Sequence, residues 1–288
     1  MKTMEIINIK RFGKVEAFEL GYGLWRQPLM NVYFFLVDGV CIDTAQSLMR
    51  KPLLEIIRER KINQVVLTHF HEDHSGNAAS IQKAKDVPIF GHPVTVQKMK
   101  HGFRILPYQY YMWGPSRKIN VKVLPPVIES DSISLLPIYT PGHSVDHTSY
   151  LVKNEGWLFS GDLYLASRIK YFRADEKIDD IICSLKKVLN LDFQTLFCAH
   201  NPELTQGKQK IREKLEFLEN FYGEVATLYE RGFNEKEIMN HFPYKEVNLV
   251  KIFTTGNVSL AHMVRSTINS IEKSMEIRNA HSCLIYKE

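Results

Sequence analysis

The stretch THFHEDHSG, Thr68–Gly76, places His69, His71, Asp73 and His74 within a span of six residues. Imidazole nitrogen and carboxylate oxygen are ligands that zinc and related divalent ions accept in proteins. Without a cation, so many polar side chains on one loop would repel each other or lack partners. The motif therefore predicts a metal site on this loop.

The segments on either side of the motif predict how the loop is held. QVVLT (Gln64–Thr68) contains three adjacent apolar residues, which is typical of a strand buried on both faces. Gly76 permits a tight entry into a helix predicted at Asn77–Lys85. A loop at the carboxyl end of such a strand directs its side chains into the crevice where α/β sheets bind ligands.

Further upstream, the pattern predicts a hairpin followed by a helix. NVYFFLV (Asn31–Val37) and VCID (Val40–Asp43) are short β-rich runs on either side of Asp38 and Gly39, a dipeptide typical of tight turns. Apolar residues then recur at near-helical spacing over Lys51–Lys61. Hairpins and β–α steps in alternation predict an α/β (α+β) fold with layered sheets and helices outside.

Three later residues of metal-ligand type each follow a short apolar run that predicts a strand. They are His143 in TPGHS, Asp162 in LFSGD and His200 in LFCAH. Since each stands where a predicted strand ends, we expect all three to converge on the sheet edge that carries the histidine loop.

The last part of the chain predicts helices. From Gly207 onward, apolar residues step by three or four positions, as in a long amphipathic helix. Asn234 with Glu237 predicts a capping box, and Val258–Ile277 predicts a further helix. We therefore expect a catalytic domain at residues 1–206 and a helical C-terminal extension at residues 207–288.

Composition narrows the class of protein. The chain has 288 residues, is 44% hydrophobic and carries a net charge of +5, which excludes general disorder and permits an anionic substrate. No apolar run reaches the roughly 18 residues of a membrane span, and the N-terminus does not resemble a signal peptide. The four cysteines form no CxxC pair, so we expect a reducing cytoplasm and no disulfide framework.

The pattern HxHxDH, PGHS, SGD and AH, between Thr68 and Asn201, resembles the metallo-β-lactamase superfamily of binuclear metal-dependent hydrolases. The resemblance implies a four-layer αβ/βα sandwich of two mixed sheets with helices outside and the metals at one edge. It implies one ion on His69, His71 and His143, a second on Asp73, His74 and His200, and Asp162 as the bridge between them. CIDTA (Cys41–Ala45) is similar to the upstream Asp-Thr-Gly element of that family, so we expect Asp43 to hold one of the ligands.

Such a centre predicts a hydrolytic mechanism. Two divalent ions lower the pKa of a shared water toward about 7 and produce a metal-bridging hydroxide. Asp73 would orient this nucleophile and shuttle a proton. Zinc is the default ion for His/Asp sites, and iron and manganese accept the same ligands.

The segment after Asp162, LYLASRIKYFRADE, offers candidate substrate contacts. Arg168, Lys170 and Arg173 could steer a carboxylate or phosphate toward the metals, or form a solvated charged edge. Tyr164 could contact substrate, as a tyrosine does in lactonase relatives, or pack in the core. We expect a small ester, thioester or lactone as substrate.

Two other functions stay open at this point. TPGHSVDH, with Asp146 and His147, and the helical tail are similar to β-lactamase-like endoribonucleases, which makes a ribonuclease or phosphodiesterase the main alternative. Against it, no basic stripe with interleaved aromatics is evident. Outside enzymes, a metal-stabilised scaffold or sensor is the alternative, although the complete set of seven candidate ligands disfavours it.

The segment Lys100–Lys118 is rich in aromatic residues and bounded by proline and glycine. We expect it to form a lid over the site or the contact of a homodimer, with ordinary packing as the alternative. Its aromatic residues are Tyr108, Tyr110, Tyr111 and Trp113.

Overall fold

The computed structural model describes residues 3–24, 27–243 and 247–285, with side chains as far as residue 277. Two β-sheets face each other in the middle of the molecule, and helices cover the outer face of each. Two short 3₁₀ helices occupy Ser47–Met49 and Lys153–Glu155.

The first sheet has seven strands that neighbour each other in chain order. They are β1 (Thr3–Phe12), β2 (Val15–Leu24), β3 (Asn31–Val37), β4 (Val40–Ile42), β5 (Gln64–Val66), β6 (Ile89–Gly91) and β7 (Lys122–Val123). The strands from β1 to β4 run antiparallel, and those from β4 to β7 run parallel. Asp38 and Gly39 turn the chain between β3 and β4 with φ of 49° and 79°, as the predicted hairpin requires.

The second sheet has five strands in the order β13-β11-β10-β9-β8. They are β8 (Ile128–Glu129), β9 (Ser134–Tyr139), β10 (Thr148–Val152), β11 (Trp157–Gly161) and β13 (Thr195–Cys198). β13 pairs parallel to β11, and the other pairs are antiparallel. A separate ribbon joins β12 (Phe172–Arg173) to β14 (Val258–Ser259).

Ten α-helices lie within the described residues. They are α1 (Arg50–Ile57), α2 (Glu72–Ser75), α3 (Ala78–Lys85), α4 (Pro93–His101), α5 (Pro107–Met112), α6 (Ile178–Leu189), α7 (Gly207–Glu230), α8 (Glu235–His241), α9 (Asn248–Phe253) and α10 (Leu260–Ile285). None of these helices combines the length and the apolar character of a transmembrane segment.

The core between the two sheets is aromatic. Phe35 of β3 meets Phe159 of β11 and Phe197 of β13, with ring centroids 5.4 Å from each, and the latter two rings stack at 4.8 Å. Burying such a side chain contributes about 1.5–3 kcal/mol to stability. Because apolar residues on the outer faces pack against helices as well, the predicted four-layer sandwich is confirmed.

The C-terminal helices share a core with the second sheet. Ile211, Leu215 and Leu218 of α7 pack in one cluster with Leu185 of α6 and Leu158 of β11. The long helix begins at Gly207, as the sequence predicts, and the domain boundary at 206/207 stays a prediction.

Two local differences from the sequence-based prediction have physical reasons. Val258–Ser259 forms β14 instead of the first turn of a helix, because these residues pair with Phe172–Arg173, and α10 starts only at Leu260. The hairpin of β1 and β2 was not predicted. β1 is an exposed edge strand whose mixed polar and apolar residues lack clean alternation.

Candidate metal centre

The seven residues of ligand type lie together at one edge of the two sheets. The loop from His69 to His74 follows β5, while His143 follows β9, Asp162 follows β11 and His200 follows β13. Main-chain hydrogen bonds hold the two sheets together here, for example from Thr148 N–H to the carbonyl of Thr68 at 2.8 Å. The convergence expected from the sequence is therefore found in the structure.

The first group consists of three imidazoles, those of His69, His71 and His143. Nδ1 of His71 lies 2.8 Å from Nε2 of His69 and 3.1 Å from Nε2 of His143. The rings of His69 and His143 each bond through their other nitrogen to an oxygen. Lone pairs brought this close repel unless a proton or a cation lies between them, so the arrangement fits a metal ion.

The second group consists of Asp73, His74, Asp162 and His200. Nε2 of His200 lies 3.5 Å from the Asp73 carboxylate, and Nε2 of His74 lies 3.7 Å from it. Among the described residues, neither His74 Nε2 nor Asp162 Oδ1 has a hydrogen-bond partner, although both atoms are buried. Buried polar atoms in folded proteins are nearly always satisfied, so these two also fit a metal ion.

Asp162 faces both groups at once. Its Oδ1 lies 3.3 Å from Nε2 of His74 and 3.4 Å from Nε2 of His200, both in the second group. Its Oδ2 lies 3.3 Å from Nε2 of His143, in the first group. One carboxylate with one oxygen directed at each group has the geometry of a bridging ligand.

Oxygen acceptors outside the two groups fix how four of the imidazoles point. Each ring places its Nδ1 within hydrogen-bond distance of such an oxygen and directs its Nε2 toward the centre, an arrangement typical of metal-binding histidines. The acceptors are Thr68 Oγ1 for His69, Asp43 Oδ2 for His74, Glu176 Oε1 for His143 and the Asn31 carbonyl for His200.

Asp43 connects the histidine loop to the end of β4. Its carboxylate accepts hydrogen bonds from Thr68 N–H at 2.7 Å, from Thr68 Oγ1 at 2.8 Å and from His74 Nδ1 at 2.8 Å. The backbone of Asp43 is left-handed, with φ of 60°, a conformation that aspartate tolerates better than most residues. Asp43 therefore contacts a candidate ligand, His74, as the resemblance implied.

The electrostatics of the two groups differ. Burial and the neighbouring imidazoles of His74, His71 and His143 keep the pKa of His69 well below its ordinary value. Burial also opposes protonation of His200, but Asp162 and Asp73 outweigh it and raise the pKa of His200 to about 10. A metal ion would therefore displace a proton from the carboxylate-rich group, whereas His69 is already neutral.

Asp146 and His147 hold the ligand loops in place without joining either group. Asp146 accepts hydrogen bonds from Phe70 N–H at 2.9 Å and from Thr95 Oγ1 at 2.7 Å. Nε2 of His147 accepts the main-chain N–H of Asp162 at 3.0 Å, and burial, with His143 nearby, lowers the pKa of His147 to about 3. The sequence signal for these two residues was their position directly after TPGHS.

A cavity of about 400 Å³ opens in front of the centre. His71, Asp73, His143, Asp162 and His200 reach it from the metal side. The rest of its wall is mainly apolar and includes Met30, Met112, Trp113, Leu165, Ile169 and Phe253. Since Phe253 belongs to α9, the C-terminal extension contributes to the same cavity as the ligand loops.

Of the four residues predicted to contact substrate, two line the cavity and two do not. Lys170 and Arg173 line the cavity, and Nε of Arg173 donates to Asp175 at 3.3 Å. Arg168 is exposed and is not part of the cavity wall. Tyr164 is buried in the core cluster beneath the second sheet, behind the wall.

The aromatic segment Lys100–Lys118 forms part of the cavity wall through Tyr108, Met112 and Trp113. Gln109 of α5 anchors it to the histidine loop by donating to the buried carboxyl group of Glu72 at 2.6 Å. Burial and the neighbouring Asp73 raise the pKa of Glu72 to about 7. The segment therefore covers the site, and a role in a dimer stays a prediction.

Comparison with known proteins identifies the family. Residues 34–200 match the sequence model of the metallo-beta-lactamase superfamily, which is more than half of the chain. The chain belongs to the metallo-β-lactamase superfamily. The matched segment runs from β3 to His200 and includes all seven candidate ligands of this superfamily member.

Two other proteins are similar to this chain over part of its length. The beta-lactamase-like protein 2 homolog of Caenorhabditis elegans is 28% identical over 54% of this chain, and the chain spans only 48% of that relative. The atrochrysone carboxyl ACP thioesterase of Aspergillus fumigatus is 26% identical over 62% of this chain and 52% of its own length.

A solved structure of a metallo-beta-lactamase family protein from Thermus thermophilus superposes with a TM-score of 0.65. It covers 91% of this chain and 94% of its own, at 16% identity. A likeness at this identity supports the fold alone, and it extends over the C-terminal helices as well as the sandwich.

Proposed function

We propose that this protein is a binuclear metal-dependent hydrolase that acts on a small ester, thioester or lactone. The observation that carries the proposal is the orientation of Asp162, whose two carboxylate oxygens face two separate groups of ligand-type residues. When bound, a pair of divalent ions would lower the pKa of a shared water enough to supply a nucleophile at neutral pH.

Some of these residues would hold the two ions, and others would position the nucleophile. His69, His71 and His143 would hold one ion, and Asp73, His74 and His200 the other. Asp162 would keep the two ions at a fixed separation, since its carboxylate is buried and its main-chain N–H is bonded to a neutral imidazole. Asp73 would also orient the nucleophile and accept its proton, because it lies on the cavity wall.

The cavity favours an organic acyl compound over a nucleic acid. Its mainly apolar wall would exclude water from an acyl chain, and burial of apolar surface contributes about 25 cal/mol per Å². A phosphodiester backbone would instead need a row of cations and stacking aromatics on an open groove. The similarity to a fungal thioesterase points to the same chemical class.

The test is a substrate panel with metal analysis on the same samples. Wild-type protein loaded with zinc, manganese or iron should hydrolyse aryl esters, thioesters or lactones faster than bis-p-nitrophenyl phosphate, RNA or β-lactams. Asp162→Ala should lose at least about 100-fold in rate and bind fewer than two ions per chain, because it removes the shared ligand.

Asp131→Ala is the matched control, because Asp131 is an exposed aspartate that pairs with Lys61 away from the cavity. It should keep both its metal content and its rate. A fully metallated and fully active Asp162→Ala protein would contradict the proposed bridge. Turnover confined to RNA or the phosphodiester would replace the proposal by a nuclease, and a metallated protein without any turnover would support a scaffold.

A further inference from the structure

Lys214 is a buried lysine beside the metal centre. It lies on α7 in the C-terminal extension, and only 2% of it is exposed. Its Nζ donates a hydrogen bond of 2.6 Å to the carbonyl of Leu163, the residue that directly follows Asp162. The ammonium group is thus held against the main chain directly after the bridging residue.

No carboxylate in the described part of the chain lies within ion-pair distance of this ammonium group. The two acidic residues that influence it most, Glu176 and Asp162, have other partners. Glu176 binds Nδ1 of His143 and the main-chain N–H of Arg173, while Asp162 faces the candidate ligands. Burial accordingly lowers the pKa of Lys214.

An ammonium group can donate three hydrogen bonds, and the carbonyl of Leu163 accepts only one. Lys214 lines the 400 Å³ cavity, in a wall that is otherwise mainly apolar. Arg173 and Lys170 line the same cavity, but Arg173 has Asp175 as a partner and Lys170 is exposed to solvent. A buried charge without a counter-ion is costly, so the chain would retain it where a ligand supplies the anion.

We infer that Lys214 selects ester or thioester substrates whose apolar part carries a carboxylate, which its ammonium group binds inside the cavity. This inference rests on the proposed function, because it assigns the substrate class of the same site. Lys214 is then a specificity-determining residue that touches the substrate away from the bond that is broken.

The size of the effect follows from the type of contact. A hydrogen bond to a charged group is worth about 1.5–3 kcal/mol, so an acidic substrate should be preferred over its neutral counterpart by about 10–150-fold in kcat/KM. The preference should arise mainly in KM, because the contact exists before and during the reaction.

The test compares matched esters. One series is the mono-p-nitrophenyl esters of adipic, pimelic and suberic acid, with p-nitrophenyl hexanoate, heptanoate and octanoate as neutral counterparts of equal chain length. A second pair, the hexanoate esters of 4-hydroxybenzoic acid and of phenol, places the carboxylate on the leaving group. Wild-type enzyme should prefer the acid in at least one pair, and Lys214→Met should abolish that preference.

Lys208→Met is the matched control. Lys208 lies on the same helix and also donates to a main-chain carbonyl, that of Leu191 at 2.8 Å, but it does not line the cavity. It should keep the wild-type preference. Thermal unfolding of both variants, together with their metal content, checks that they fold as the wild type does.

Binding of the corresponding p-nitroanilides, measured by calorimetry, separates the inference from the proposed function. These amides resist hydrolysis but carry the same acyl chains as the esters, with or without the terminal carboxylate. Absence of ester turnover, with acid-selective anilide binding that depends on Lys214, would refute the hydrolase and keep Lys214 as the residue that binds a ligand carboxylate. Ester turnover without an acid preference in any pair, or with a preference that survives Lys214→Met, would overturn the inference and keep the hydrolase.

Discussion

Replacing Asp43 by asparagine tests how the metal centre is held. The change keeps the size of the side chain, and asparagine tolerates the left-handed backbone at φ of 60°. It replaces one carboxylate oxygen by an NH₂ group. Asp43 accepts at both oxygens, from Thr68 N–H at one and from Thr68 Oγ1 and His74 Nδ1 at the other. In either orientation of the amide, the NH₂ group of asparagine therefore faces another hydrogen-bond donor.

A change of tautomer at His74 would relieve this repulsion, but it would weaken metal binding. His74 can move its proton from Nδ1 to Nε2 and accept a hydrogen bond from the amide. Nε2 is the atom that faces Asp162 at 3.3 Å, so its lone pair would no longer be available to a cation. Loss of such an outer partner lowers metal affinity by about 10–100-fold, which is about 1.4–2.7 kcal/mol.

The assay is a titration of metal-stripped protein with zinc in competition with a chromogenic chelator. We expect Asp43→Asn to weaken one of two binding events by this factor and to change the other less. Asp38→Asn is the control, because Asp38 is also a left-handed aspartate, at φ of 49°, but bonds Ser132 in a distant turn. If both affinities of Asp43→Asn stayed within about threefold of wild type, Asp43 would not orient a metal ligand.

Two further substitutions address the loop around the bridging residue. His147 is held neutral with a pKa of about 3, against about 6.5 when unfolded, so its contribution to stability is present above pH 6.5 and disappears as the pH falls toward 3. His147→Gln should reduce by about one proton the pH dependence of the free energy of unfolding, measured by urea titration of metal-free protein between pH 4 and 7. An unchanged slope in His147→Gln would refute the account. Gly161 has φ of 49°, and an added Cβ would lie 2.7 Å from Nε2 of His147. Gly161→Ala should therefore cost about 1–3 kcal/mol more in urea unfolding than Gly13→Ala, which has φ of 58° and open space around it, and equal costs would argue against the close contact.

Much of the fold could be predicted from the sequence because it depends on local patterns. The apolar runs before His69, His143 and Asp162 predicted strands, and strands lie there. The hairpin at Asp38 was predictable from one dipeptide, since few residues accept its backbone conformation. β1 was not, because an exposed edge strand has no buried face to impose alternation.

The partners that orient the candidate ligands were harder to predict. Glu176 stands in a charged segment that could equally have been a solvated edge, and it binds His143, 33 residues earlier. The acceptor for His200 is the carbonyl of Asn31, which every residue type possesses. Neither contact can be predicted from the residue types, because both depend on where distant segments of the chain lie in the fold.

Side-chain identity, which can be read from the sequence, decides which atoms can ligate a cation. The spacing of the strands brings those atoms to one edge. Only the folded arrangement shows that the two oxygens of Asp162 face different groups, and that no carboxylate of the described residues pairs with the buried Lys214. The physical reason is that burial and orientation arise from contacts between segments far apart in the chain. The sequence of an amphipathic helix does not show whether one of its lysines faces water or a cavity.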